Sequence, residues 1–406
     1  MGLRVLHTAD WHLGRTLEGR SRLDEQEAVL AEIAAIAAEE AADLVVVAGD
    51  VYDAPGPPAA AEELYCRALR DLCAGGRRAV VVIAGNHDQP ERVSAPGPLA
   101  GRHGAVLLGL PGEVPPAREG AVRAGPGWVE IDLPRGETAV LAALPYASEA
   151  RLGEALRDTL DPTALQTAYS ERVARFFALG AARFRAGAAC LAVGHLYAAG
   201  GMESESERPI QVGGAYTVDP AAFPAGAQYV ALGHLHRPQR VAAPVPARYA
   251  GSPLAYSFSE AGQAKAVCIV DAVPGRPVDE REVPLRAGRP LVLWRATEGL
   301  PQVERWVEEG RDRSAFIDLE IHLDVPLAGE DLQRLRRMPV DFVRVRPVVS
   351  LSAGVAIPAE RRDLPVDRLF DLFYRRERGH APSEPVRRAF LELALAGDAD
   401  GLEGRA

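Results

Sequence analysis

This sequence of 406 residues predicts an α/β protein with a two-layer sheet core flanked by helices. Three observations carry that expectation. Short runs rich in Val, Leu, Ile and Ala recur along the chain, and most are closed by a Gly and a polar residue. Such runs read as buried strands of a mainly parallel sheet, ending in loops. In the first third they alternate with helical patterns as β-α-β-α-β, which implies parallel pairing with right-handed crossovers. Finally, the polar residue at the end of several runs is Asp, Asn or His, delivered to the strand ends where open α/β sheets bind ligands.

Element by element, residues 3–9 read as a strand, and 24–40 as a helix with apolar residues at helical spacing. A strand follows over 43–48. Residues 57–73 form a helix opened by Pro57 and Pro58 and closed by Gly75 and Gly76. Further strands are expected over 79–84, 105–109, 128–132, 139–144, 189–193, 229–232 and 266–270, with a helix over 164–185. The Pro/Gly-rich break at 273–277 reads as a domain exit. Beyond it, 291–296, 301–309, 315–324, 329–338 and 342–349 alternate strand and helix again, as a compact α/β domain of their own. Residues 364–378 and 383–396 read as two amphipathic helices joined by Gly379-His380-Ala381-Pro382. A hairpin that short needs a packing partner, either its own catalytic domain or another protein. The expected division is therefore 1–275, 276–355 and 360–400.

Composition sets bounds on the function. The chain is 48% hydrophobic and 25% charged, ordinary for a globular protein, and no apolar run is long enough to span a bilayer. Residues 1–7 begin a strand and lack a signal-peptide pattern. The four cysteines, Cys66, Cys73, Cys190 and Cys268, form no CxxC motif, so a reduced cytoplasmic protein is expected. The net charge of −10 argues weakly against nucleic acid, because a metal site concentrates carboxylates that bound cations offset. The last third also carries many arginines, among them Arg334, Arg336, Arg337, Arg344 and Arg346, whose plainest reading is solvated faces. Lys265 is the only lysine.

The strand-end residues form an ordered set: Asp10-Trp11-His12, Gly49-Asp50, Gly85-Asn86-His87-Asp88, Gly194-His195 and Gly233-His234-Leu235-His236. Each piece alone is common. Together they supply carboxylate, amide and imidazole groups suited to a pair of divalent cations, and two-metal sites hydrolyse phosphate esters. Asp50 is the candidate bridge. Asp10 and His12 are expected to alternate along an extended strand end and face one cavity, and His234 and His236 share that spacing. Asn86 adds a neutral oxygen ligand and His195 completes the set. His87, adjacent to Asn86, is expected to face substrate and to stabilise the transition state or protonate the leaving oxygen, with Asp88 orienting it. Asp53 is expected to contact substrate or an outer water. His7, His103, His322 and His380 take structural readings.

This set resembles the calcineurin-like metallophosphoesterases. With residues 6–14, 233–239, 249–254 and 257–260 added, it is similar to the SbcD family of bacterial nuclease subunits. The resemblance spans nearly the whole chain and implies a four-layer α/β/β/α fold with a small α/β capping domain that binds DNA. Asp10, His12, Asp50 and His236 would hold one manganese ion, and Asp50, Asn86, His195 and His234 the other. His87 matches the family's catalytic histidine. Where some relatives carry a second histidine after the Gly-Asp motif, this chain has Asp53. The implied activity is an exonuclease on duplex DNA and an endonuclease on single strands and hairpins, serving repair and recombination at the nucleoid. The ATP site would belong to an SbcC-type ATPase, docked by the C-terminal hairpin, since no GxxxxGK[ST] motif occurs here. A homodimer within a heterotetramer is implied, through helices after Asp53 and Asp88. The alternatives are another metallophosphoesterase (nucleotidase, cyclic-nucleotide phosphodiesterase or phosphatase) and a non-catalytic scaffold of the same fold. Neither accounts as well for the C-terminal domain, the complete ligand set and His87.

Overall fold

A computed structural model describes residues 2–116, 121–148, 162–207 and 216–349, together with 368, 370, 371, 374, 375, 380–384, 386–388 and 390. Two compact units divide the chain. One comprises Met1–Ile321 and Gly329–Arg346, the other His322–Ala328 and Pro347–Ala406.

The first unit is built on two large sheets. In chain order the strands of the first are β1 (Leu3–Thr8), β2 (Leu44–Ala48), β3 (Ala79–Ile83) and β4 (Ala105–Leu108), joined later by two more. The second holds β5 (Val122–Gly125), β6 (Trp128–Asp132), β7 (Thr138–Leu144), β8 (Ala189–His195), β9 (Tyr229–Gly233), β10 (Gln239–Val241) and β11 (Ala247–Tyr249). Strands β12 (Ala266–Ala272) and β13 (Asp279–Pro284) return to the first sheet, whose order is β13-β12-β1-β2-β3-β4. The second sheet runs β10-β11-β9-β8-β7-β6-β5. As expected, β1 through β4 pair in parallel, and so do β7, β8 and β9.

Period-two alternation assigns each side chain to a layer. Leu44, Val46, Val81 and Ile83 meet Leu141, Ala143, Leu191 and Val193 of the other sheet in one buried cluster. Their neighbours Val45, Val47, Val80 and Val82 face the opposite way. There they pack on Leu30, Ile33 and Ala37 of α1 (Leu23–Glu39) and on Ala61, Leu64 and Leu72 of α2 (Ala59–Cys73). On the second sheet Ala142, Leu144, Ala192 and Val230 pack on Tyr169, Val173 and Phe177 of α3 (Pro162–Ala181). The result is the expected four-layer α/β/β/α sandwich. Burying a Val, Leu or Ile side chain contributes about 1.5–3 kcal/mol, which is why runs apolar on both faces, such as Val45–Val47, end up in the inner layers.

One boundary differs from expectation. Arg276 N–H donates to Val273 O at 3.0 Å, and β13 pairs antiparallel with β12 from Ala266↔Pro284 to Asp271↔Asp279. The break at 273–277 is thus a hairpin turn, and the main sheet continues to Pro284. The later alternation forms as expected: a three-stranded sheet, β14 (Leu291–Ala296), β15 (Phe316–Leu323) and β16 (Asp341–Val349), with α4 (Leu300–Glu308) and α5 (Gly329–Arg337). Arg344 and Arg346 both pair with the buried Asp318, in keeping with a structural reading of these two.

Within the second unit Phe370 stacks on Phe390 at a centroid distance of 4.0 Å. Arg387 donates to both carboxylate oxygens of Asp371, at 2.9 and 2.7 Å. The two halves of the expected hairpin therefore touch. Leu364, Leu369, Leu372, Phe373, Leu391 and Leu395 lie outside the described residues.

Candidate metal centre

Every member of the ordered set sits at or just past the C-terminal end of a parallel strand. Asp10 and His12 follow β1, Asp50 follows β2, and Asn86 and His87 follow β3. His195 is the last residue of β8, and His234 and His236 follow β9. The first two ligand loops zip together: Asp10 N–H donates to Gly49 O, His12 N–H to Asp50 O, and Leu13 N–H to Val51 O, at 2.9–3.0 Å. The expectation that Asp10 and His12 alternate on an extended strand is not met. Their φ angles are 55° and 45°, with Asp50 at 48° and His234 at 112°. Left-handed backbone at these positions, not strand alternation, turns the side chains to one point. Glycine permits the close approach of neighbouring loops. A Cβ on Gly85 would lie 2.1 Å from Asp50 Oδ1, and one on Gly233 would lie 1.9 Å from Ala48 O.

Three groups of metal-competent atoms result: Asp10, His12 and His236; Asp50, His195 and His234; and His12, Asp53 and His87. Asp50 lies between the first two. Its Oδ2 is 3.6 Å from His12 Nε2 and 3.4 Å from His195 Nε2. Asn86 Oδ1 reaches His195 Nε2 at 2.8 Å and His234 Nδ1 at 3.1 Å. His195 Nδ1 lies 2.9 Å from Ala48 O and is the donor there, which turns Nε2 toward the centre. His12 Nε2 and His236 Nε2 face each other at 2.9 Å. Asp10 Oδ1 accepts the His234 N–H at 2.9 Å, while its buried Oδ2 has no hydrogen-bond partner among the described residues.

Charge in this pocket is poorly compensated by protein alone. Burial, with Asp50 adding to it, pushes the Asp10 carboxyl well above its usual range. Burial would also raise Asp50, but His195 and His12 outweigh it and hold that carboxyl low. Burial pushes His12 down to about 3 and His234 and His236 below their usual value. Only His195 goes the other way: burial opposes its proton, yet Asp50 and Asp10 raise it to about 9. Imidazoles and two carboxyl groups, one with an orphaned oxygen, converging in a buried pocket fit divalent cations of intermediate softness.

The comparisons with known proteins agree with this chemistry. Residues 3–120 match the calcineurin-like phosphoesterase family. The chain is 47% identical over 395 residues to the SbcD component of the SbcCD nuclease of Bacillus subtilis (strain 168), covering 97% of this chain and 98% of that one. The chain belongs to the SbcD family. It is 34% identical to the Rhodobacter capsulatus member, across 80% of this chain and 82% of that one. Identity to the Escherichia coli (strain K12) member is 30%, across 92% of each. As an SbcD-family member it is a metal-dependent phosphoesterase.

Around the candidate ligands of this SbcD-family chain, several further residues frame the site. Asp88 anchors main-chain N–H groups of two neighbouring loops. Its Oδ2 accepts the N–H groups of Gly85 at 2.8 Å and Val51 at 3.1 Å, and its Oδ1 accepts that of Tyr52 at 2.8 Å. It staples the Asp50 loop to the Asn86 loop. His87 is held on two sides: Nδ1 lies 2.7 Å from the main-chain Asp53 O, and its main-chain N–H donates to the Asp50 carboxylate Oδ1 at 2.9 Å. His7 is buried below the site, 3.0 Å from the Tyr229 hydroxyl, as its structural reading requires.

On the far side of His236, Glu207 Oε1 accepts its N–H at 2.8 Å. Lys265 is 8% exposed and donates to His236 O at 2.9 Å, to Ser252 Oγ at 3.0 Å and to Glu260. Burial would raise the Glu260 carboxyl, but His236 and Lys265 hold it well below its usual range. Lys265→Met leaves a fully buried carboxylate without its cation. It is expected to cost about 3–5 kcal/mol in denaturant unfolding of the metal-free protein. A loss under about 1 kcal/mol would show the ion pair to be dispensable. In the sequence Glu260 stood out only within the resemblance at 257–260, and Lys265 only as the sole lysine.

Proposed function

We propose that this protein is a two-cation DNA nuclease that prefers manganese. On this reading it cleaves duplex ends exonucleolytically, and single strands and hairpins endonucleolytically, in partnership with an SbcC-type ATPase at the nucleoid. The observation that carries the reading is the meeting of two ligand groups on one carboxylate, Asp50. Asp10, His12, Asp50 and His236 would hold one ion, and Asp50, Asn86, His195 and His234 the other. Such a pair, when bound, neutralises phosphoryl oxygens and lowers the pKa of an attacking water.

The chain's own groups do the rest. His87 is half-buried at the edge of the centre, its ring edge-on to His12 at a centroid distance of 4.8 Å. With Nδ1 donating to Asp53 O, Nε2 is the nitrogen that faces substrate and passes a proton to the leaving oxygen. Asp88 keeps His87 and Asp50 in register through the loops it joins. The three-stranded sheet with α4 and α5 serves as the cap that binds DNA, and the hairpin built on Phe370 and Phe390 docks the ATPase. The relatives' name describes one component of SbcCD, which supports a partner of that kind and assembly as a homodimer within a heterotetramer.

The test is cleavage of linear and hairpin DNA with manganese, with and without an SbcC-type ATPase, beside a panel of nucleotides and cyclic nucleotides. Turnover of DNA alone supports the reading. Turnover confined to the small phosphoesters, or to nothing, overturns it.

A further inference from the structure

Arg15 is a charge the ligand set does not use. It lies three residues past His12, in a turn closed by its own N–H to His12 O at 3.0 Å. Its guanidinium spreads over the Tyr256 ring, 5.3 Å from the centroid. One arm points to Asp53, with Nη1 3.4 Å from Oδ1, and the other donates to Ser206 O at 3.0 Å. Each of those two residues faces the outer nitrogen of a different imidazole. Asp53 Oδ1 is 3.6 Å from His12 Nδ1, and Ser206 Oγ is 2.6 Å from His236 Nδ1. Arg15 therefore ties the carboxylate next to His12 Nδ1, which has no hydrogen-bond partner among the described residues, to the hydroxyl-bearing residue that backs His236, although Ser206 is far from both Arg15 and Asp53 in sequence.

The other two imidazoles are backed differently. His195 Nδ1 rests on the main-chain oxygen of Ala48. His234 turns Nδ1 toward Asn86, inside the centre. The group on a histidine's second nitrogen fixes the ring's tautomer and orientation, and thereby its strength as a ligand. A planar guanidinium holds two acceptors at a set separation, which an ammonium on a flexible stem does not.

We propose that Arg15, bridging Asp53 and Ser206, is the positioning residue for one cation only, the one held by His12 and His236. This rests on the reading of Asp10, His12, Asp50 and His236 as one ion's ligands. It gives Asp53 a role in aiming His12, and makes the segment carrying Ser206 part of the centre's frame. The Asp53 main-chain oxygen that holds His87 is untouched by changes to the Asp53 side chain.

The experiment is manganese titration of the full-length protein, without DNA, read by calorimetry and by the fraction of ion remaining free. The wild type takes up two ions. Arg15→Ala is expected to weaken one of them about 10–100-fold and to leave the other within error. Ser206→Ala, which removes a single hydroxyl, is expected to weaken the same step. The double variant should fall well short of the summed effects, because the two residues act through one chain of contacts. The Arg15 side chain is partly exposed, at 18%, and unfolding of the metal-free variants serves as the control for fold. Loss at both steps alike, or at neither, overturns the inference while leaving the metal centre standing. A wild type that holds fewer than two ions overturns the centre itself, and the inference with it.

Discussion

Replacing His87 with alanine is expected to lower manganese-dependent cleavage of duplex DNA by about 10²–10⁴-fold, the usual share of a positioned general acid, while the protein still takes up both ions. The separation of these effects follows from geometry. The main-chain N–H of His87 donates to Asp50 Oδ1 at 2.9 Å, and alanine keeps that bond. The ring makes its own bond outward, from Nδ1 to Asp53 O, and meets the assigned ligands only edge-on at His12, without a hydrogen bond. Glutamine, which can donate but cannot shuttle a proton, should remain close to alanine. Metal content by atomic emission and single-turnover cleavage read the two quantities independently. Loss of both ions together with activity would move His87 into the ligand set and remove its assigned role.

Replacing Asp50 is expected to be more damaging still. Its Oδ2 is the atom shared between His12 Nε2 and His195 Nε2, and its Oδ1 accepts the His87 N–H. Asp50→Ala should release both cations and bring cleavage to background. Asp50→Asn keeps the shape but halves the charge of the carboxylate pair, and should hold at most one ion, weakly. One tight ion surviving in the alanine variant would show that the bridge lies elsewhere. The same carboxylate sets the pH dependence of loading. In the metal-free centre it is Asp50, aided by Asp10, that raises His195 to about 9 against the effect of burial. Cation binding must expel that proton, so affinity should rise with pH up to about 9 and fall toward acid pH. Titrations in buffers of different ionisation enthalpy count the proton released.

The sheets were legible because their strands carry uninterrupted apolar runs, and the candidate ligands because Asp, Asn and His close those runs. The misplaced domain exit at 273–277 has a physical reason. A Pro/Gly cluster marks a sharp turn equally in a hairpin and in a linker, and the strand beyond it reads Asp279-Glu280-Arg281-Glu282-Val283. That is an edge strand facing water, with no apolar period to announce it. Strands as short as Gln239–Val241 were lost for want of length. In the site, residue type singled out the candidate ligands, but not how they converge. The left-handed turns at Asp10, His12 and Asp50 have no pattern in a single sequence when the residue is not glycine. Ser206 and Lys265 were unreadable for another reason: what each does depends on contacts with the distant His236 loop, and no local periodicity records such a partner.

Those left-handed turns also bear on how the protein responds to selection for heat resistance. An L-residue held at positive φ costs about 1–2 kcal/mol, less for aspartate than for histidine, and here four such residues sit around one pocket. Glycine at His12 or His234 would relieve that strain and abolish a ligand in the same step. A directed-evolution screen for melting temperature, run in chelator, would therefore favour folded proteins that have lost the centre. Run with manganese present, mass action on the folded state rewards the strained turns and keeps the catalyst.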